Sequence, residues 1–425
     1  MFLSLRKQYR SAARTNAGLV SPPILGYSAM TLFNTPWDLI RHVAPNRPIA
    51  CGRPHLVKKA ADWFLSEFPG ETLYAVKANP SKWVLETLYG AGLRHFDVAS
   101  ENEMTLVAEL CPDATMSFMH PVKSRHAIRR AYFEFGVRTF SLDCEAEFDK
   151  IMDETEHARD LTLIIRAAVS NQGAELPIDG KFGASPAQMI TLLRRARPIV
   201  EELGLSFHPG SQCMDPYAWS VHCEQLSRVI TDAGVDVDII DVGGGFPVSY
   251  PGKEPPPMFR FASAIKRAFD RMPLPPHARL WCEPGRALVA EGSSVLTHVD
   301  LVRGNTLYIN DGAFGTLYDA VHCKWTYPTR LIRQDGEPSS RLKAFRLFGP
   351  TCDSADMVPG PFFLPEDVRE GDVIEIGMLG AYGVCMQTQF NGYGQAIEAF
   401  AADSPWASVF DNAAEPAKAD WYANI

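Results

Sequence analysis

No stretch of this chain is apolar over the ~18–20 residues that a membrane-spanning helix requires. No CxxC pair occurs, and the nine cysteines are scattered and odd in number. That argues against a disulfide frame or a thiolate zinc site and suits free thiols in a reducing cytosol. There is no block of lysine or arginine, and the net charge is −9, so nothing points to a nucleic-acid backbone as the main partner. No internal repeat is visible. The first 37 residues contain no aspartate or glutamate, whereas Arg6, Lys7, Arg10 and Arg14 cluster there. This bias is weakly like a transit peptide, but no secretory apolar core accompanies it, and the segment reads as an N-terminal arm ordered against the body.

What is there is the composition of an ordinary globular protein, 46% hydrophobic and 21% charged, with room in 425 residues for two domains. From residue 48 the chain alternates short apolar runs with amphipathic stretches. Strands are predicted at 73–78, 95–99, 115–119, 139–143, 162–167, 205–208, 238–242 and 280–283. Helices are predicted at 101–110, 123–135, 145–156 and 186–203, the last opened by Pro186, where a missing N–H does no harm. Eight such strands predict a parallel (β/α)8 barrel over 48–290. After Arg286 the texture becomes β-rich without intervening helices, at 294–310, 342–348 and 372–379, with Gly and Pro at 349–350 and 359–361 as punctuation. This predicts a second, antiparallel β domain over 291–425, to which the arm at 1–47 partly contributes. The tail after Ser404 is acidic and alanine-rich.

Chemistry-bearing residues fall at the carboxyl ends of successive predicted strands. Lys77 ends the first, where poor hydration is expected to lower its pKa and free a nucleophilic amine able to form a Schiff base with a carbonyl cofactor. Asp97 lies in the second strand, Arg166 near the end of the fifth, and His208 at the end of the sixth. Gly243, Gly244 and Gly245 follow the seventh, and Glu283 and Arg286 follow the eighth. In a barrel all these ends share the rim that carries active sites. The glycine triplet lets backbone N–H groups approach an anion, and Arg286 adds a fork of donors. Glu283 follows the apolar run Leu280-Trp281-Cys282, so its carboxylate either pairs with Arg286 or meets the ring nitrogen of pyridoxal phosphate and keeps it protonated.

The segments Tyr74-Ala-Val-Lys-Ala-Asn, Phe96-Asp-Val-Ala-Ser, His208-Pro-Gly-Ser-Gln, Asp241-Val-Gly-Gly-Gly-Phe-Pro, Glu283-Pro-Gly-Arg, Gly349-Pro-Thr-Cys-Asp-Ser-Ala-Asp and Gly380-Ala-Tyr-Gly jointly resemble the barrel-type ornithine, lysine and arginine decarboxylases that use pyridoxal 5'-phosphate. The resemblance runs from about residue 48 to 394. It implies that Lys77 is the cofactor lysine, that Asp97 and Glu103 support the site, that His208 stacks on the ring, and that Ser211 and Tyr382 bond the phosphate. It also implies a homodimer with shared active sites, in which Cys352 of one chain donates a proton in the partner's site and Asp353 faces the substrate's far amine, with Phe390 near by. Lys181 and Asp356 match a pair that bridges the dimer interface.

Two departures matter: Pro209 after His208 and Gly383 after Tyr382 differ from the residues more frequent in the family, and the other bears on the substrate. Where the family presents an acid to the far amine of ornithine or lysine, alignment on Asn310-Asp311-Gly312 gives Cys323, which cannot pair with an ammonium as a carboxylate does. Either Asp319 takes over, or Asp353 acts alone, or the substrate's far end differs. The expected activity is decarboxylation of an L-amino acid with a basic side chain. The alternatives are a modified or larger substrate (a carboxylated polyamine, an acylated diamine acid or diaminopimelate) and a non-catalytic decarboxylase-like binding protein.

Overall fold

The computed structural model describes residues 31–42, 46–178 and 180–411. Most of the basic arm and the tail beyond 411 lie outside the described residues. The described chain opens with β1 (Leu32–Phe33), α1 (Pro36–His42), β2 (Ile49–Gly52) and α2 (Pro54–Glu67). A closed parallel barrel follows, formed by β3 (Glu71–Ala75), β4 (His95–Val98), β5 (Thr115–Phe118), β6 (Thr139–Leu142), β7 (Thr162–Arg166), β9 (Glu202–Ser206), β11 (Ile239–Asp241) and β12 (Arg279–Cys282). Two short strands, β8 (Ala174–Leu176) and β10 (Ser211–Cys213), pair with each other outside it. The barrel closes where β12 pairs with β3, Trp281 beside Glu71. All eight predicted strands are present, and the (β/α)8 expectation holds.

Alternation along these strands divides the core. Leu163 and Ile165 of β7 face the surrounding helices, whereas Ile164 points inward to meet Leu73, Met119, Ile239 and Trp281. Gly204 makes that possible, since a Cβ there would lie 2.4 Å from Ile164 Cδ1. This inward cluster belongs to the packed interior above which the strands' carboxyl ends open.

The helices α3 (Lys82–Gly90), α4 (Glu101–Leu110), α5 (Arg125–Phe133), α6 (Glu145–Glu154), α7 (Pro186–Ala196), α8 (Tyr217–Ala233), α9 (Met258–Phe269) and α10 (Arg286–Val289) follow the barrel strands. Ser185 and Gln188 form a capping box at the start of α7, with Pro186 at its first position. The predicted helix 186–203 overruns: Pro198 stops it, and Glu202 already lies in β9. Two predicted strands shift for local reasons. The first ends at Ala75, and Val76–Ala78 winds into a 3₁₀ turn closed by Asn79 N–H donating to Val76 O. The sixth ends at Ser206, which leaves His208 on the loop beyond it.

The second domain is a nine-stranded sheet containing β13 (Ser293–Arg303), β14 (Thr306–Ile309), β15 (Thr329–Ile332), β16 (Leu342–Phe348), β17 (Met357–Pro365), β18 (Val373–Ile376) and β19 (Ile397–Ala401) together with β1 and β2. It is largely antiparallel, with parallel pairings of β1 and β2 to β19 and of β14 to β16. The strand at 49–52 thus enters this sheet, although the sequence reading began the barrel at residue 48. The run 359–361, read as punctuation, lies inside β17, the outermost strand on its side, where a register shift opposite Phe345 and Leu347 accommodates the prolines. A short helix, α11 (Tyr318–Cys323), interrupts the expected helix-free stretch. Among the described residues no helix is long and apolar enough to cross a membrane.

Candidate active site

A cavity of about 310 Å³ opens above the barrel, with Lys77, Arg166, His208, Ser211, Gly245, Glu283, Arg286 and Tyr382 in its lining. Lys77 stands on the 3₁₀ turn after β3, which is tied down from both domains. Tyr74 Oη donates to Asn79 O at 2.9 Å, Asn79 Nδ2 donates to Gly380 O at 2.8 Å, and Tyr382 N–H donates to Ala78 O at 2.9 Å. Lys77 Nζ lies 3.1 Å from Asp97 Oδ2, and its side chain is 49% exposed, so the amine is open to a reactant. The expected fall in its pKa is reversed. The Asp97 carboxylate outweighs burial and holds the ammonium above the ordinary lysine range.

Glu283 is 4% exposed, and its Oε1 has a hydrogen-bond partner only where the carboxyl shares a proton with Asp241. Burial first, then the neighbouring carboxylates Asp241 and Asp97, push its carboxyl well above the usual range. Arg286 is not its counter-ion. That guanidinium forks onto Asp319, Nη1 to Oδ2 at 2.7 Å and Nη2 to Oδ1 at 3.3 Å, and also donates to Tyr250 Oη at 2.9 Å. Its Nε remains buried and unpartnered. His208 accepts from Gly210 N–H through Nδ1 at 3.1 Å, which leaves the proton on Nε2. Burial, with Arg166 and Lys77 near by, pushes its pKa well below the usual value, so the ring is neutral.

Of the glycine triplet only Gly245 lines the cavity. Gly243 and Gly244 are required by close approach: a Cβ on Gly243 would lie 2.1 Å from Phe207 O, and one on Gly244 would lie 2.6 Å from Glu283 O. Glu103 does not line the cavity either. Its Oε2 accepts from Ala99 N–H at 2.7 Å while Ser100 Oγ accepts from Glu103 N–H, so it fixes the turn into α4.

The proposed substrate contacts are not in this cavity. Asp319 accepts from Arg286, from Tyr327 Oη at 2.7 Å and from Cys323 Sγ at 3.3 Å, so both candidate residues on α11 are held behind Arg286. Burial and Asp319 push the Cys323 thiol far up, and it acts as a hydrogen-bond donor. Cys352, Asp353 and Phe390 are exposed. Cys352 Sγ donates to Asn391 Oδ1 at 3.2 Å, and Phe390 packs on Phe314 with ring centroids 5.1 Å apart. Asp356, expected at a dimer interface, is 1% exposed. Its oxygens accept from Ala313 N–H at 2.7 Å and Thr351 N–H at 2.9 Å, which holds the loop that carries Cys352. Lys181 lies in the cavity lining, as do His120 and Phe182, which the sequence reading passed over. A signal existed for His120, since it follows the third strand, the same rim position as the residues that were chosen.

The half-open lysine, the buried acid across the cavity from it and the spare Arg286 N–H fit a group with a carbonyl, a basic ring nitrogen and an anionic tail. Pyridoxal phosphate has all three. Fold and site together define a barrel enzyme built around such a cofactor. The pyridoxal binding domain of the pyridoxal-dependent decarboxylases matches residues 54–290. A lysine/ornithine decarboxylase of Selenomonas ruminantium is 31% identical over 341 residues, 78% of this chain and 84% of that protein. The ornithine decarboxylase of Rattus norvegicus is 31% identical over 368 residues, 80% of this chain and 77% of that protein. A solved lysine/ornithine decarboxylase from Vibrio vulnificus, complexed with cadaverine, superposes with a TM-score of 0.73 at 27% identity, covering 86% of this chain and 97% of that one. The chain belongs to the pyridoxal-dependent amino-acid decarboxylases.

Proposed function

We propose that the chain decarboxylates an L-amino acid with a basic side chain, of the ornithine and lysine type, and releases a diamine or polyamine. The observation that carries this reading is the buried carboxyl of Glu283, beside Asp241, in the same cavity as the half-exposed amine of Lys77. The names of the similar enzymes support a basic side chain on the substrate.

Pyridoxal phosphate, when bound, supplies an electron sink for the pair left behind as carbon dioxide departs. Lys77 offers the amine that ties down the cofactor, and Asp97 keeps it charged and oriented until then. Glu283 holds a proton for a basic ring nitrogen. His208, being neutral, offers a ring without a competing charge. Arg166, Ser211, Gly245, the Nε–H of Arg286 and Tyr382 are the donors available to a phosphate. Met119, Ile178 and Phe182 give the cavity an apolar wall that excludes water.

Cys352 and Asp353 enter this reading through a second copy of the chain. Both are exposed and outside the cavity, and in a homodimer they would complete the partner's site. Cys352 would donate a proton to the carbon that lost its carboxylate, and Asp353 would meet the far amine, with Phe390 beside it. One observation favours a second reading of the substrate. With Cys323 and Asp319 held behind Arg286, this chain's described cavity lining offers no carboxylate to a far ammonium besides Glu283. An acylated diamine acid, whose far nitrogen carries no charge, would not need one, and diaminopimelate would offer its own far carboxylate to the cations Arg166 and Lys181 of the lining. A carboxylated polyamine keeps a far ammonium and would need its partner from a second copy.

The test is carbon dioxide release, with identification of the amine, by purified protein plus pyridoxal phosphate across ornithine, lysine, arginine, diaminopimelate and carboxylated polyamines. Fast turnover of ornithine or lysine supports the first reading. Turnover confined to the modified substrates moves the conclusion to the second. Cofactor binding without turnover of any of them would leave a decarboxylase-like binding protein.

A further inference from the structure

We infer that the groove between α8 and α9 is a docking site for a short acidic segment of another protein, anchored at one end by an apolar side chain. These helices pack side by side and frame an open groove of about 960 Å³, none of whose lining residues belongs to the catalytic cavity. Arg260 and Arg267 line it from α9, Arg271 from just beyond that helix, and Arg228 from α8. All four are exposed. Among the described residues, none of their side chains makes a hydrogen bond, an ion pair or a ring contact. Every other described arginine makes at least one, except Arg166 in the catalytic cavity.

This gathering of unpaired cations works against the folded chain alone. Four like charges gathered in one groove repel one another. Two acidic residues, Asp215 and Glu224, also line the groove. Asp215 is engaged locally, its Oδ1 accepting from Tyr217 N–H at 2.9 Å. The groove keeps a net positive charge on a molecule whose net charge is −9, an arrangement that concentrates and orients an anionic partner.

Shape chooses among anions. Arg260 and Arg267 are seven residues apart on α9, roughly 10 Å at helical rise, and Arg271 lies beyond the helix end, a spread beyond the reach of one phosphate or carboxylate. A long nucleic acid would run past the groove onto a molecule of opposing charge. A short acidic peptide would not. At the amino-terminal end of both helices, Tyr217 and Phe259 are 61% and 53% exposed and offer an apolar seat. Ser220, Ser227 and Ser263 line the space between and keep it open to an extended backbone. Rigid aromatic anchors beside charged contacts are the usual energetic centre of such interfaces.

The test is fluorescence anisotropy of the holoenzyme with a labelled glutamate-rich peptide headed by phenylalanine. Saturable binding is expected, weakening as salt rises. The Arg260→Glu/Arg267→Glu variant should bind about tenfold more weakly while carbon dioxide release is unchanged. Tyr217→Ala/Phe259→Ala should weaken binding about fivefold without changing its salt dependence. Equal binding by the charge-reversed variant overturns the proposal. Tighter binding of a single-stranded oligonucleotide or of inorganic triphosphate also overturns it. So does a loss of self-association in the variant, seen by sedimentation, that the peptide cannot reproduce by competition, since the groove would then be covered by a second copy.

Discussion

Two buried charge clusters in this protein follow opposite rules. In the second sheet, Arg53 donates to Glu375 at 2.7 Å, Ser294 at 2.8 Å and Asp403 at 2.9 Å, while Arg330 donates to Glu375 at 2.5 Å and Asp403 at 2.7 Å. All three nitrogens of Arg53 and both oxygens of each acid are engaged. Above the barrel, Asp97 Oδ1 and Arg286 Nε are buried without a hydrogen-bond partner, and Asp241 Oδ2 and Glu283 Oε1 are matched only by sharing a proton. An unmatched buried polar atom costs about 1–3 kcal/mol, so such a gathering calls for a reason. A cluster that only holds the fold closes its hydrogen bonds internally, whereas a cavity that receives a polar cofactor leaves some of them open. Electrostatics agrees. Burial pushes the Glu375 carboxyl up, but Arg53 and Arg330 together outweigh it and hold it below the usual range, whereas Glu283 stays far above it.

The sharpest break of this contrast is Lys77→Ala. Carbon dioxide release should fall roughly a thousandfold or more, and the visible absorbance of the bound cofactor should be lost. Retention of that band would remove Lys77 from its role. Next comes Glu283→Gln, for which cofactor binding should persist while turnover falls roughly 10²–10³-fold. The melting temperature should hold or rise, because the amide resembles the protonated acid. The sign follows from the raised pKa. The stability tied to Glu283 is full below the unfolded carboxylate value of about 4.3 and is lost as pH rises toward the folded value, so the amide gains most at alkaline pH. A large destabilisation at pH 8 would count against the open-site account.

Glu375→Gln should do the reverse. Leaving Arg53 and Arg330 short of a charge should lower stability by about 3–5 kcal/mol, read by urea or thermal unfolding. Glu375 has a depressed pKa, so its contribution is present above the unfolded carboxylate value and lost as pH falls through the folded one. The gap between wild type and variant should therefore narrow in acid. A gap that does not narrow as pH falls from 7 toward about 2, past the folded value, would mean that packing, not charge, holds this cluster.

The sequence announces one side of the contrast far better than the other. The barrel strands are short apolar runs at regular intervals, and the rim rule turns their ends into a site without further information. Lys77, Arg166, His208, Gly245, Glu283 and Arg286 are legible in that way, and Ser211 and Tyr382 through the family resemblance. What stays hidden is set by contacts distant in sequence. The engagement of Arg286 by Asp319 depends on how α11 sits against the barrel, and the burial of Asp356 depends on the turn at Gly312 and Gly349, each crowded against its carboxylate. Nothing in the local run around Glu103 separates a cofactor contact from a capping acid. The charge cluster of the second sheet joins residues as far apart as 53 and 403, and no periodicity carries that.

The smallest expected effect concerns Cys323, and it divides the alignment from the structure. Alignment puts this residue where an acid meets the far amine, from which Cys323→Glu should improve turnover of ornithine or lysine. In the fold, the thiol donates to Asp319 from four residues away on α11, and neither residue reaches the cavity lining. Cys323→Ala therefore removes one hydrogen bond of about 0.5–1.5 kcal/mol, while Arg286 and Tyr327 still hold Asp319, so the ratio of rates on ornithine and lysine should not move. Cys323→Glu should lower cofactor affinity instead, because a second carboxylate beside Asp319 competes for the guanidinium that faces the cavity. A gain on either amino acid would mean that α11 turns when substrate binds, and the thiol's place behind Arg286 would then be a feature of the open site alone.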